Sequence, residues 1–118
     1  MLVTFEMISE NLNISYRVFG KKEGNVLTFP DKSNPNTIMS VAIGEDYIEV
    51  KRTGRVTMQQ IFKLESKENG FYQNDMGLEF EIASFTTEMN IKENMIEVFY
   101  EYYLESKWQS SNKLKIIF

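Results

Sequence analysis

Three cations, Lys51, Arg52 and Arg55, crowd around Thr53-Gly54 in the run VKRTGRVTMQQIF. Positive charge beside a glycine can hold a phosphate, provided that backbone N–H groups converge on the same point. No glycine-rich cradle or helix start follows, so a hairpin tip with solvated charges is the better expectation. The segment DKSNPN offers Asp31, Ser33, Asn34 and Asn36, oxygen donors of the kind calcium takes. It lacks the spacing and the closing Glu of an EF-hand, and these are ordinary turn residues. Paired carboxylates, Glu79 with Glu81 and Glu97 with Glu101 and Glu105, have the chemistry of glycosidase acid–base pairs. They alternate with apolar residues, which assigns them to an outer face. With no Cys and no His among 118 residues, thiolate nucleophiles, imidazole bases, disulfides and nearly all transition-metal sites are excluded. No catalytic residue, metal site or cofactor site is assigned.

The elements that must position these groups follow from period-two alternation, which recurs along the chain. In MIEVFYEYYLE, Ile96, Val98, Tyr100, Tyr102 and Leu104 share one face. In LEFEI, Leu78, Phe80 and Ile82 oppose Glu79 and Glu81, and KLKIIF sets Leu114, Ile116 and Phe118 against Lys113 and Lys115. Turn residues punctuate these runs, giving strands near 2–8, 13–19, 25–30, 37–43, 47–52, 55–65, 70–75, 77–90, 94–105 and 113–118. Any helix is a turn or two around 106–112. Along LEFEIASFTTEM the apolar phase switches without a turn, the mark of a β-bulge. The spacing thus predicts an all-β domain over 1–118: one antiparallel barrel, closed or nearly closed, of about eight to ten strands.

Register sharpens the hairpin. A two-residue Thr53-Gly54 turn would put Val50 on the face of Thr57 and Gln59 and waste the apolar set Val56, Met58, Phe62 and Leu64. A three-residue loop, Arg52-Thr53-Gly54, pairs Val50 with Val56, Ile48 with Met58 and Lys51 with Arg55, with Gly54 at positive φ. Matching Leu104 with Leu114 likewise sets Glu105 opposite Lys113. The inward set is then Ile48, Val50, Val56, Met58, Phe62, Leu64, Leu78, Phe80, Ile82, Ile96, Val98, Tyr100, Tyr102, Leu104, Leu114, Ile116 and Phe118. Side chains this large should fill the barrel, confining any pocket to one mouth lined by Tyr and Met. Met58, Gln60, Tyr100 and Tyr102 are the candidate pocket residues, with Tyr16 also pointing inward. On the outer face, Met95, Phe99 and Tyr103 interrupt the acidic stripe and form a candidate oligomer contact, consistent with a homodimer.

VKRTGRVTMQQIF, GFYQNDMGLEFEI, IEVFYEYYL and LKIIF together resemble the YwiB-like family of uncharacterised bacterial proteins. The match rests on an Arg-x-Gly turn (Arg52, Gly54), Met58 and Phe62 in the next strand, Tyr72 ahead of Gly77, Leu78 and Phe80, and the strand bearing Tyr100 and Tyr102. It covers 37–118; at the end of the third strand this chain has Phe29, Pro30 and Asp31 where the family often has a Tyr-Glu-Glu-like ending. The resemblance implies a calycin-like, lipocalin-like barrel and supplies no activity or catalytic residue.

Composition narrows the function. A net charge of −4 argues against nucleic acid as a partner. The start, MLVTFEMISE, has no basic n-region and carries Glu6 within its apolar stretch, and no run has the length of a membrane span, so membrane insertion is not expected and a cytoplasmic location is. A non-enzymatic structural or interaction module ranks first. A protein binding a small apolar ligand at the barrel mouth is the alternative, and a carboxylate-based enzyme is a distant third.

Overall fold

Turns that recur every few residues cut the chain into strands too short to bury an apolar face alone, and the sheet they form solves that by curling onto itself. A computed structural model describes residues 1–118. Its strands are β1 (Leu2–Ile8), β2 (Asn13–Phe19), β3 (Lys21–Glu23), β4 (Val26–Pro30), β5 (Thr37–Ile43), β6 (Tyr47–Gly54), β7 (Thr57–Lys63), β8 (Lys67–Gln73), β9 (Glu79–Lys92), β10 (Met95–Leu104) and β11 (Lys107–Ile117). All are antiparallel in one 11-stranded sheet, ordered β2-β1-β11-β10-β9-β8-β7-β6-β5-β4-β3. From β3 to β11 the chain is a meander; β1 docks on β11, and β2 swings round to β4. There the barrel is nearly closed by side chains rather than a hydrogen-bond ladder: the Tyr16 hydroxyl donates to Asp31 Oδ1 at 3.3 Å. Gly20 packs so tightly against β4 that a Cβ would fall 2.7 Å from the Thr28 carbonyl oxygen. No helix is long and apolar enough to cross a membrane.

Alternation puts Val3, Phe5, Leu27, Phe29, Met39, Val41, Ile48, Val50, Phe62, Ile96, Val98, Leu114 and Ile116 inside, all essentially solvent-free. Each contributes roughly 1.5–3 kcal/mol of transfer free energy. Phe5 stacks on Tyr16 with centroids 4.9 Å apart, and Phe62 leans on Tyr100 at 4.7 Å.

Several expectations need correction. The β6–β7 hairpin pairs Arg52 with Met58, Lys51 with Gln59 and Val50 with Gln60, so its loop is longer than three residues. Parity survives: Val50 and Val56 are both buried and Gly54 has φ 135°. The loop is longer because Gly54 still belongs to the ladder, paired with Thr37 of β5. Residues 106–112 are not helical; they open β11 after a tight turn in which Glu105 and Ser106 take φ 49° and 66°. That turn pairs Val98 with Leu114, so the Leu104–Leu114 match and the Glu105–Lys113 ion pair do not form. Lys113 instead reaches Glu97 at 3.6 Å and Glu6 at 3.8 Å. Leu64 and Leu78, expected inside, are 50% and 54% exposed because each lies just beyond the end of its strand. The bulge exists, but at Thr87: Phe99 pairs with Glu88 and Tyr100 with Thr86. Ser84 and Thr86 therefore occupy interior positions before the phase passes to Met89 and Ile91.

Candidate functional site

Register gathers one end of several strands at a single mouth. Arg52 of β6 pairs with Met58 of β7, which pairs with Tyr72 of β8, which pairs with Phe80 of β9. On the other side Tyr100 of β10 pairs with Asn112 of β11, and Tyr102 with Ser110. Between these walls and the β1–β2 loop lies a recess of about 360 Å³. Met58, Gln60, Tyr100 and Tyr102, named from the sequence, all line it, together with Met7, Ser9, Asn11, Leu12, Arg52, Tyr72, Gln109, Ser110 and Asn112. Below the recess the barrel is packed with the core side chains.

The charge at the bottom of this mouth was not expected. Arg52 does not lie in a solvated tip; its side chain is only 11% exposed, and its Nε sits 3.0 Å from Oδ2 of Asp31, whose side chain is fully buried. Alternation explains the placement, since Arg52 has the parity of Ile48 and Val50, and Asp31 that of Leu27 and Phe29. Asp31 is held by its own turn: Oδ1 accepts from the Ser33 N–H at 3.1 Å, the Ser33 hydroxyl at 2.6 Å and Tyr16, and Oδ2 accepts from Asn34 Nδ2 at 2.9 Å. The Asp31 and Ser33 oxygens are thus spent on hydrogen bonds made largely within the turn. Burial works to raise the Asp31 carboxyl, but the hydrogen bonds from Ser33 and Asn34, with the charge of Arg52, outweigh it and hold the group below the ordinary carboxylate range.

Arg52 is less well served. Its Nε is buried without an aligned acceptor, so the approach to Asp31 is an ion pair and not a directed hydrogen bond. One terminal nitrogen, Nη1, donates to the Met58 sulfur at 3.4 Å, a weak acceptor. The phenols of Tyr16, Tyr100 and Tyr102 are neutral at ordinary pH. Burial pushes Tyr100 and Tyr102 up, and burial together with the Asp31 charge pushes Tyr16 up. Tyr100 accepts from Asn112 Nδ2 at 3.3 Å, and Gln60 Nε2 donates to Ser84 at 3.1 Å.

The other candidate groups lie elsewhere. Lys51 turns to Glu49 at 3.7 Å, and Arg55 donates through Nε and Nη2 to Asp75 Oδ2 at 3.2 and 3.0 Å. The three cations of the opening run thus go to three different carboxylates, which removes the anion cradle. Glu79, Glu81 and Glu105 are exposed, and Glu97 and Glu101 alternate with the buried Val98 and Tyr100. On that outer face Lys67 Nζ lies 4.0 Å from the Tyr103 ring centroid and Lys113 Nζ lies 5.9 Å from that of Phe99. Met95 pairs with Ile117, beyond both lysines.

The recess sits on a fold seen in a solved structure. The crystal structure of the ywiB protein from Bacillus subtilis superposes with a TM-score of 0.63 at 17% identity, covering 98% of this chain and 87% of that one, a likeness of fold. No curated protein matches the chain in sequence. The family model described as "Domain of unknown function (DUF1934)" matches residues 6–116, and the chain belongs to that family, an uncharacterised YwiB-like group of β-barrels.

Proposed function

We propose that this protein is a non-enzymatic binder of a small organic molecule, received in the recess at the barrel mouth. One observation carries the proposal: a concave site of about 360 Å³ in which methionine and tyrosine walls face a polar rim that includes Asn11, Gln109 and Asn112. Ligand sites are typically of this kind, roughly 300–1,000 Å³ and mostly apolar, with a small number of polar groups that fix orientation. Met7, Met58 and Tyr72 offer surface to an apolar body. The hydroxyls of Tyr72 and Tyr102 have no protein partner and are free to donate. Heteronuclear NMR against a library of small aromatic and aliphatic compounds tests this. Binding should shift the resonances of Met58, Gln60, Tyr72, Tyr100 and Tyr102 together; hits that cluster outside the mouth would refute it.

A second reading, an interaction module, draws on the outside of the barrel. Phe19 is 80% exposed, pairs with the exposed Leu2, and shares that end of the sheet with exposed Ile117 beside Met95. Met95, Phe99 and Tyr103 would extend such a contact between two copies of the chain. Lysines lie over Phe99 and Tyr103, and all three residues are half-buried.

A further inference from the structure

We infer that the recess selects a carboxylate, carried on a compact aromatic or aliphatic body, and that Arg52 is the residue that reads it. The inference rests on the ligand-binding role proposed above and adds the chemical class of the ligand.

Arg52 is the only charged side chain lining the recess, and no acidic residue shares the wall. A guanidinium carries five N–H donors in a planar fork that matches a carboxylate with two parallel hydrogen bonds. Here the fork is nearly idle: Nε has no aligned acceptor, Nη1 meets a sulfur, and Nη2 makes no hydrogen bond to the protein. The buried Nε is costly to leave without an aligned acceptor, whereas Nη2 is not shut off from solvent and is open to a ligand entering the recess.

Asp31 does not need those donors, because Ser33, Asn34 and Tyr16 already supply its oxygens. Its negative charge, 3.0 Å from Arg52 Nε, offsets part of the cost of burying the guanidinium and leaves the terminal nitrogens for a ligand. Asp31 is therefore a positioning residue. The same charge also repels an incoming anion, which disfavours a phosphate dianion more than a carboxylate. The unpartnered hydroxyls of Tyr72 and Tyr102 add neutral donors near the guanidinium. Arg52 through its charge, the phenols through their O–H groups and the methionines through their apolar surface together describe an amphiphilic monoanion.

The experiment uses matched probes: phenylacetate, phenylacetamide, 2-phenylethanol and phenyl phosphate, each titrated into the full-length protein and followed by NMR. The acid should bind about ten-fold or more tightly than the amide and the alcohol, because it alone gains charge-assisted bonds. Arg52→Lys, which keeps the charge and loses the fork, should lose most of that preference. Arg52→Met should abolish it while leaving amide binding. Should Arg52→Met fail to fold, Arg52→Met with Asp31→Asn removes both charges and gives the same comparison. Equal affinity for acid and amide in the wild type overturns the selectivity and leaves the recess as a binding site. Tighter binding of phenyl phosphate overturns the carboxylate class. Shifts for none of the four at the recess residues overturn both this inference and the reading on which it rests.

Discussion

Gly54→Ala should be among the most damaging single-methyl additions to this barrel, and its cost can be built from two separable parts. The first is conformational: φ at Gly54 is 135°, where an L side chain is strained by roughly 1–3 kcal/mol. The second is contact: a Cβ would lie 2.1 Å from the Asn36 carbonyl oxygen, a backbone atom that cannot swing away. Moving it would strain the Arg55 N–H···O Asn36 bond, 3.2 Å long, and a bond of that kind contributes about 0.5–1.5 kcal/mol. Together these give roughly 1.5–4.5 kcal/mol. With an unfolding entropy near 2.1 cal/mol/K per residue, each kcal/mol is about 4 °C for a chain this long, so the melting temperature should fall by about 6–18 °C. Gly24→Ala is the control, because Gly24 also has positive φ, 59°, but has nothing within 4 Å of its would-be Cβ. It should lose only the conformational part, about 1 kcal/mol. Gly70→Ala inverts the control: ordinary φ, but a Cβ 2.0 Å from the Gln59 carbonyl oxygen. Thermal unfolding by far-ultraviolet circular dichroism reads all three. If Gly54→Ala and Gly24→Ala melt together, the close packing of β6 against the Asp31–Asn36 turn is wrong, and with it the account of how Asp31 is presented to Arg52.

Titration provides two further tests and hydrodynamics another. Asp31 holds its proton less tightly folded than unfolded, so its stabilising contribution is complete above the ordinary carboxyl range near pH 4 and is lost as pH falls through and below it. Asp31→Asn should therefore be less stable than the wild type at pH 7 and lose less on acidification; parallel acid limbs in urea unfolding would refute this. Tyr16, Tyr100 and Tyr102 hold their protons more tightly when folded, so their contribution is full below about pH 10 and is lost as pH rises beyond it. Ultraviolet titration of the six tyrosines should show these three ionising only with alkaline unfolding, and ionisation of all six in the native protein would be the contrary result. If two copies associate through Met95, Phe99 and Tyr103, Phe99→Glu should convert a dimer to a monomer in sedimentation velocity; an unchanged coefficient removes that contact.

Period-two alternation made most strands legible, down to the residue bounds of β1, β2 and β5. Parity made Val50 and Val56 legible as core even though they do not face each other. What stayed hidden was set by backbone conformations that composition does not announce. Glu105 and Ser106 both take positive φ without being glycine, and that turn carries β11 back through a segment that looked like a loop. Lys21–Glu23 is wholly exposed, so β3 carried no apolar signature. In the bulged strand, Ser84 and Thr86 face inward, and two polar residues at core positions disguised the phase. Met58, Gln60, Tyr100 and Tyr102 were legible as one inward group. Arg52 was legible too, by the same parity, but a charge beside a glycine invited assignment to the tip. Its partner Asp31 lies in a different hairpin, a pairing that no local spacing encodes.

Stability alone gives no reason for an arginine at this mouth. A buried ion pair is frequently matched or bettered by apolar residues of similar volume, because desolvation offsets much of the attraction. Here the balance is poorer than usual, since the guanidinium has no aligned hydrogen bond to the carboxylate it faces. Asp31, by contrast, is well provided, accepting from Ser33, Asn34 and Tyr16. The costly member of the pair is Arg52, and its cost falls where the recess opens. A methionine there would pack against Met39 and Met58, its cross-strand neighbours, and complete an apolar floor. Among the polar residues at interior positions, Arg52 is the one cation, paired with Asp31 but without an aligned acceptor at Nε. Local rules of folding tend to be broken at functional sites, and here the break lies at a recess walled by methionine and tyrosine.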